Sequence, residues 1–209
     1  MPLALAPPAF AVALAHRWLA EDPRQALAHF TWVNNVTLAA DRCRFAYDEQ
    51  GSCLTRRLDL PFTAVAVLAE TAAAVRRLAA ELVPPHWPVY TLAPTSTAAL
   101  LREAVGVDEI RPEWQMVFRG DAGTLDPGPA RPLGRADLPA MMALARLGGA
   151  MVFGAEAMAH GAFFGVFVGA ELVAMGGVQN ELPGWAEIGS IVTHPAHRRQ
   201  GHATHVVAA

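Results

Sequence analysis

The residues with the clearest chemical signal lie in a short loop near the C-terminal end of the sequence. Residues 198–203 read Arg-Arg-Gln-Gly-His-Ala, after a strand-like segment and before a helix-like one. A helix that begins at a glycine leaves its first N–H groups free and adds the partial positive charge of its dipole. Gly201 lets the backbone approach a ligand closely, and Arg198 and Arg199 place positive charge at the rim. The loop predicts a phosphate site, with an ordinary helix start as the alternative.

A glutamate in the preceding strand has the chemistry of a general base. Glu187 stands in an apolar segment beside Trp185 and Ile188. Its carboxylate is therefore expected to be partly desolvated, which suits a group that takes a proton from an ammonium ion. Strand alternation predicts that four residues share one face: Glu187, Gly189, Ile191 and Thr193. The alternative is an edge-strand charge that faces solvent or pairs with an arginine.

Histidines are concentrated in the same region. Half of the eight lie in the last sixteen residues: His194, His197, His202 and His205. A metal site needs three or four ligands in fixed geometry, and the neighbouring sequence offers no cysteine or carboxylate to complete one. The sequence therefore predicts no metal site.

The elements that must position these residues form the second of two blocks. Residues 120–135 have the glycine and proline density of a linker, between a block at 1–119 and a block at 136–209. In the second block Asp137 is expected to cap a helix whose core side includes Met141 and Met142. Strands are predicted at 162–168, 171–179 and 185–193, joined by turns at 169–170 and 182–184. A helix is expected to start near Gly201.

The first block alternates strand-like and helix-like segments, which predicts an α/β layer structure. Strands are expected at 62–68, 87–92 and 114–119, and a hairpin at 42–47 and 52–58. A helix is expected from Thr95 or Ser96 to residue 105, ended by Gly106 in the left-handed conformation. The hairpin register predicts Tyr47 opposite Ser52 and Cys43 opposite Arg56, which leaves Cys43 and Cys53 as reduced, structural thiols. No nucleophile or metal constellation is evident in this block.

Composition excludes several classes of function. The chain has 209 residues and a formal net charge of -3, so the strongly basic surface of a nucleic-acid-binding domain is not expected. No segment reaches the roughly 18–20 apolar residues of a membrane span. The apolar N-terminus has no basic region and is interrupted by Pro7 and Pro8, so a signal peptide is not predicted. The prediction is a soluble, cytoplasmic protein.

Four segments in order resemble the GNAT superfamily of N-acyltransferases: residues 161–177, 186–188, 192–195 and 198–203. The superfamily loop pattern is Gln/Arg-x-x-Gly-x-Gly/Ala, and here Arg198, Gly201 and Ala203 fill it. The sequence is most similar to the branch in which a degenerate N-terminal half precedes an active C-terminal half. The resemblance implies the α/β (α+β) class, with a mixed, mostly antiparallel sheet flanked by helices and a GNAT-like α/β half before it.

The resemblance also implies a reaction and its residues. The acyl donor would be acetyl-CoA or a related thioester, the acceptor a primary amine of a small molecule or peptide, and no metal would take part. Amides of residues 199–204 would bind the CoA pyrophosphate, the backbone of 191–193 would pair with pantetheine, and Glu187 would be the general base. The implied cofactor-binding residues are Ile191, Val192, Thr193, Arg198, Arg199, Gln200, Gly201, His202, Ala203 and Thr204.

One departure from the family bears on activity. Family members continue past this helix with strands that wall the CoA cleft and often a tyrosine that protonates the leaving thiolate. Here the tyrosines are Tyr47 and Tyr90, in the other half. The chain is therefore expected to be C-terminally truncated, or another chain supplies the wall, as in a homodimer. The alternative functions are a non-catalytic CoA-binding or interaction module and a phosphate-binding fold of another kind.

Overall fold

The computed structural model describes residues 4–60, 62–150, 153–154, 157–158 and 161–209. They divide into two compact units, Met1–Met116 and Val117–Ala209. Each unit combines helices with a sheet, so the mixed α/β class predicted from the sequence is confirmed.

The N-terminal unit packs helices on a sheet with strand order β1-β2-β3-β4, in which β1 to β3 are antiparallel and β4 runs parallel to β3. Its helices are α1 (Ala9–Glu21), α2 (Pro23–Ala28), α3 (Phe30–Thr37), α4 (Ala72–Leu82) and α5 (Thr95–Ala104). Its strands are β1 (Cys43–Tyr47), β2 (Cys53–Arg57), β3 (Thr63–Leu68) and β4 (Val89–Tyr90). Helix α4 buries Val75 and Leu78 against the sheet residues Leu54 and Val67, as an amphipathic helix should.

Several local predictions in this unit are wrong. The hairpin register is shifted by one residue, with Tyr47 opposite Cys53 and Cys43 opposite Arg57. The strand predicted at 87–92 shrinks to β4, and residues 114–119 form no strand. Helix α5 ends because Val105 has an extended backbone, although its N–H still bonds to the carbonyl of Leu101. The helix therefore needs no left-handed residue, and Gly106 is not left-handed. At the other end the N-cap residue is Pro94, not a threonine or serine.

The two cysteines are both buried and both free thiols. Burial raises the pKa of each thiol to about 12, against the ordinary value of 9.0. At pH 8 the thiolate fraction of each should therefore be about one in ten thousand, roughly a thousandfold below that of an unfolded cysteine.

We accordingly expect a thiol-reactive disulfide reagent to label the native protein at pH 8 at least a hundredfold more slowly than the guanidinium-unfolded protein. Absorbance of the released aromatic thiol measures both rates, and the unfolded sample calibrates two labelled sites. Rapid labelling of either cysteine in the native state would contradict the buried placement.

The C-terminal unit is built on a sheet with strand order β5-β6-β7-β8, antiparallel throughout. The strands are β5 (Arg131–Pro132), β6 (Phe163–Val168), β7 (Glu171–Leu182) and β8 (Trp185–Thr193), and the helices are α6 (Leu138–Gly148) and α7 (His202–Ala208). Both predicted turns and the helix start near Gly201 are present. Helix α6 packs Met141 with Met175 and Val192 on one face, and α7 packs Val206 with Val173 on the other.

Two details at the start of this unit differ from prediction. Part of the expected linker is ordered: β5 pairs with β6, and Arg131 lies over the Phe167 ring at 4.1 Å and pairs with Asp137 at 2.8 Å. Asp137 precedes α6 but makes no side-chain cap there, because its carboxylate accepts the Gly134 N–H instead. Gly149 follows the last residue of α6 as its C-cap; it is left-handed at φ 76°, and its N–H bonds to the last turn of the helix.

Candidate functional site

The loop after β8 is held at both ends and turns twice through left-handed backbone. The N–H of His194 donates to Val173 at 2.8 Å, and a 3-10 turn follows at Pro195–His197. Arg199 has φ 64° and Gly201 has φ 83°. Left-handed residues spaced this way turn successive N–H groups toward one side, which makes a concavity suited to an anion. Because Arg199 has a Cβ, its left-handed backbone conformation is strained, and strain of this kind is concentrated at functional sites.

The backbone amides of this loop remain available to a ligand. In the described part of the chain, no group accepts a hydrogen bond from the N–H of any residue from 199 to 204, whereas the N–H of His205 bonds to Gly201 at 3.2 Å. Free amides at a helix start must be satisfied by water or by a ligand. The loop therefore has the donors that a phosphate group requires.

These amides border a cavity of about 580 Å³ at the end of β8. The lining residues are Gly148, Ile191, Val192, Thr193, His197, Arg198, Arg199, Gly201, His202, Ala203 and Thr204. They include each residue that the sequence assigned to cofactor binding except Gln200, which is exposed in the loop. Gly148 and His197 were not foreseen. Gly148 is needed because a Cβ there would overlap the Val192 side chain, so glycine lets the end of α6 approach β8.

The outer edge of β8 is open in the described residues, since this strand pairs with β7 alone. His194 directs its N–H to β7, so the main chain of Thr193 points to the open edge by alternation. Arg198 donates to the Thr193 carbonyl at 3.3 Å, which is consistent with that orientation. An extended ligand arm can pair with such an edge in the manner of an added strand.

A bulge in β8 corrects the predicted alternation. Gly189 pairs with Gly177 and Val192 with Met175, so Ser190 and Ile191 together oppose Gly176. Ser190 takes φ 49° to accommodate the extra residue. As a result the side chain of Val192, not that of Ile191, lies on the same face of the sheet as Gly189, which is the face that α6 covers. The side chain of Ile191 lies with Ile188 on the opposite face, next to α7. A bulge leaves its extra residue unpaired, and bulges are over-represented beside active sites.

Glu187 lies in β8 before the bulge and is half-buried. Its carboxylate accepts a hydrogen bond of 2.7 Å from the side-chain amide of Asn180, directly across on β7. A second cross-strand bond of 2.6 Å joins Gln179 to Ser190 at the bulge. Glu187 does not line the 580 Å³ cavity. The sequence did not indicate Asn180, because β7 was expected to end at Gln179 and instead extends to Leu182.

Two histidine arrangements appear only in the folded chain. His194 and His197 both approach the carboxylate of Glu171, at 3.6 and 3.8 Å. His202 lines the cavity, and neither of its buried ring nitrogens has a hydrogen-bond partner in the described residues. Buried polar groups are nearly always satisfied, so an unpartnered imidazole beside a cavity marks a place for a ligand or water.

Comparison with known proteins gives a family match and a similar fold. Residues 139–209 match the model of the acetyltransferase (GNAT) family. A solved structure described as a GNAT-family acetyltransferase from Novosphingobium aromaticivorans superposes with a TM-score of 0.61 at 20% identity. The superposition covers 87% of this chain and 77% of that chain. No curated protein matches the sequence.

The fold and the family match together indicate the class of acetyltransferase-like proteins. More specifically, residues 139–209 are similar to the acetyltransferase (GNAT) family, and the fold is that of the solved GNAT-family structure. Among the residues that the structure describes, no helix is long and apolar enough to cross a membrane.

Proposed function

We propose that this protein transfers an acetyl or other acyl group from acetyl-CoA to a primary amine by direct attack. The observation that carries the proposal is the set of free amides at residues 199–204 along a cavity lined by nearly the same residues. Diphosphate is the part of CoA that such a concavity fits, and the Arg199 guanidinium adds positive charge at the rim. The acceptor would be a small amine or a peptide amine.

The open edge of β8 supports the placement of the pantetheine arm. Thr193 forms the last register pair with β7, opposite Ala174, and offers its main-chain groups to the open edge. An arm paired there would run from the loop toward the bulge at Ser190 and Ile191. The Arg198 side chain, now on the Thr193 carbonyl, would be displaced and free to contact phosphate.

The bulge and Glu187 support the chemical step. A main-chain N–H at the bulge, from Ser190 or Ile191, would donate to the carbonyl oxygen as it gains negative charge. Glu187 would accept a proton from the attacking amine, directly or through water. The new N–C bond forms as the C–S bond breaks, and the sulfur leaves as thiolate. Asn180 would hold the Glu187 carboxylate in one orientation during this transfer.

Location and assembly are further parts of the proposal. Two buried, unpaired thiols are typical of a protein from a reducing compartment, which supports the cytoplasm. A second copy of the chain could lie along the open edge of β8 and complete the cleft.

The test is a thermal-shift series with CoA, acetyl-CoA and AMP. At one hundred times its Kd a ligand stabilises by about 2.7 kcal/mol, which raises Tm by roughly 5–10 °C for a chain of this size. We expect CoA and acetyl-CoA to produce this shift and AMP, which lacks the diphosphate and pantetheine, to produce little. A flat response to CoA from well-folded protein would contradict the proposal.

A further inference from the structure

The strongest feature outside the proposed acyl-transfer chemistry is the cluster of Glu171, His194 and His197. One ligand atom from each of the three lies within 4.8 Å of the other two. Oε1 of Glu171 is 3.6 Å from Nε2 of His194, and Oε2 of Glu171 is 3.8 Å from Nε2 of His197. The sequence concealed this cluster, because Glu171 is more than twenty residues away and reaches the histidines only through the pairing of β7 with β8.

We propose that Glu171, His194 and His197 form a binding site for one zinc ion. Zinc bound to two imidazole nitrogens and a carboxylate oxygen has bond lengths of about 2.0–2.2 Å, which place neighbouring donors about 3.4 Å apart in a tetrahedron. The distances of 3.6 and 3.8 Å end on the two different oxygens of Glu171, and one ligand atom from each residue lies within 4.8 Å of the others. Rotation of the Glu171 carboxylate and shifts of up to about 1.4 Å would therefore bring three donors to the spacing that zinc requires. Water would take the fourth position.

The backbone presents the three donors from rigid elements. His194 and His197 stand at the two ends of the 3-10 turn Pro195–His197, three residues apart, and their rings meet edge to face with centroids 5.5 Å apart. Glu171 is the first residue of β7, and its side chain is 57% exposed, so it can adjust to an ion at low cost. The histidine side chains are 26% and 22% exposed, which limits their freedom.

Zinc binding at Nε2 of His194 requires the ring proton to move to the other ring nitrogen. The Nδ1 of His194 accepts the Ala196 N–H at 3.2 Å, so the neutral ring carries its proton on Nε2, toward Glu171. Zinc at Nε2 would move that proton to Nδ1 and release the Ala196 amide, which is exposed and can bond to water.

The ion would join the start of β7 to both ends of the turn that precedes the loop. Since His197 also lines the cavity, a bound ion would stiffen one wall of it without occupying it. The zinc site does not depend on acyl transfer, because it needs no CoA to form.

The experiment is calorimetric titration of Zn²⁺ into protein freed of any polyhistidine tag, without CoA. We expect one ion per chain, and binding at least tenfold weaker in Glu171→Gln and in His197→Gln. The matched control is His16→Gln, since His16 is an exposed histidine on α1 of the other unit. Mg²⁺, which prefers an all-oxygen shell, should not bind detectably at this site.

A melting curve separates a ligand effect from a folding effect. Zn²⁺ should raise the Tm of the parent protein but not that of Glu171→Gln, whose metal-free Tm should equal that of the parent because the side chain is exposed. The proposal is overturned if Zn²⁺ does not bind, or if Glu171→Gln binds as tightly as the parent. Equal weakening in His16→Gln would also overturn it, because it would indicate nonspecific histidine binding. None of these outcomes would bear on CoA binding.

Discussion

Gly201→Glu should abolish the stabilisation by CoA, a loss of about 2.7 kcal/mol at a ligand concentration one hundred times the parent Kd. Gly201 has φ 83°, and no atom lies within 4 Å of the position where a Cβ would stand. A glutamate there would project from the loop whose amides border the cavity and would place negative charge against the diphosphate. The glutamate would both repel the diphosphate and occupy the space it needs, and both effects destabilise bound CoA.

The substitution also strains the backbone, so the control must reproduce that strain. Gly184→Glu does so, because Gly184 has φ 79°, is equally open and lies in the turn between β7 and β8, away from the cavity. Each change should lower the ligand-free stability by about 1–2 kcal/mol through the left-handed conformation. The CoA-induced shift in Tm, measured from each variant's own baseline, should persist in Gly184→Glu and vanish in Gly201→Glu. If CoA raised the Tm of Gly201→Glu as much as that of the parent, the loop would not be part of the CoA-binding site.

Glu187→Gln should leave the CoA-induced shift unchanged and reduce kcat by two to four orders of magnitude, the usual contribution of a general base. This corresponds to about 2.7–5.5 kcal/mol of transition-state stabilisation. The amide is nearly the same size as the carboxylate and can still bond to Asn180, but it cannot accept a proton. Turnover is measured as CoA thiol released from acetyl-CoA in the presence of a panel of primary amines.

Two further variants locate the effect. Glu181→Gln removes a carboxylate from the same hairpin, where Glu181 pairs with Ala186, and should preserve kcat. Asn180→Ala removes the 2.7 Å bond to Glu187 and should lower kcat by less than Glu187→Gln does, with KM for acetyl-CoA unchanged. Normal turnover in Glu187→Gln would refute the base assignment. CoA binding with no turnover by the parent chain would favour the non-catalytic module.

Local sequence was informative about the C-terminal unit because its signals are short-range. Alternating apolar residues, the turns at Gly169 and Gly184 and the glycine before α7 each act over a few residues, and the structure has those elements in the predicted order. The lining of the cavity follows from the same order, since a strand, a loop and a helix in succession must converge at the end of the strand.

The same signals failed where a strand needed a partner. Residues 114–119 are rich in apolar side chains, yet Trp114, Met116 and Phe118 are 93%, 88% and 61% exposed and form no strand. An apolar segment becomes a strand only where a neighbouring strand pairs with it, and in the described part of the chain no strand pairs with this segment.

The sequence by itself determined that a loop rich in amide donors follows a strand carrying Glu187, because adjacent residues cannot be separated by folding. Tertiary structure alone decided what stands beside them. The bulge at Ser190 and Ile191 rotates the strand faces, the extension of β7 sets Asn180 against Glu187, and strand pairing brings Glu171 to His194 and His197. These contacts depend on register, and a shift of one residue in register moves every side chain to the opposite face without changing any local pattern.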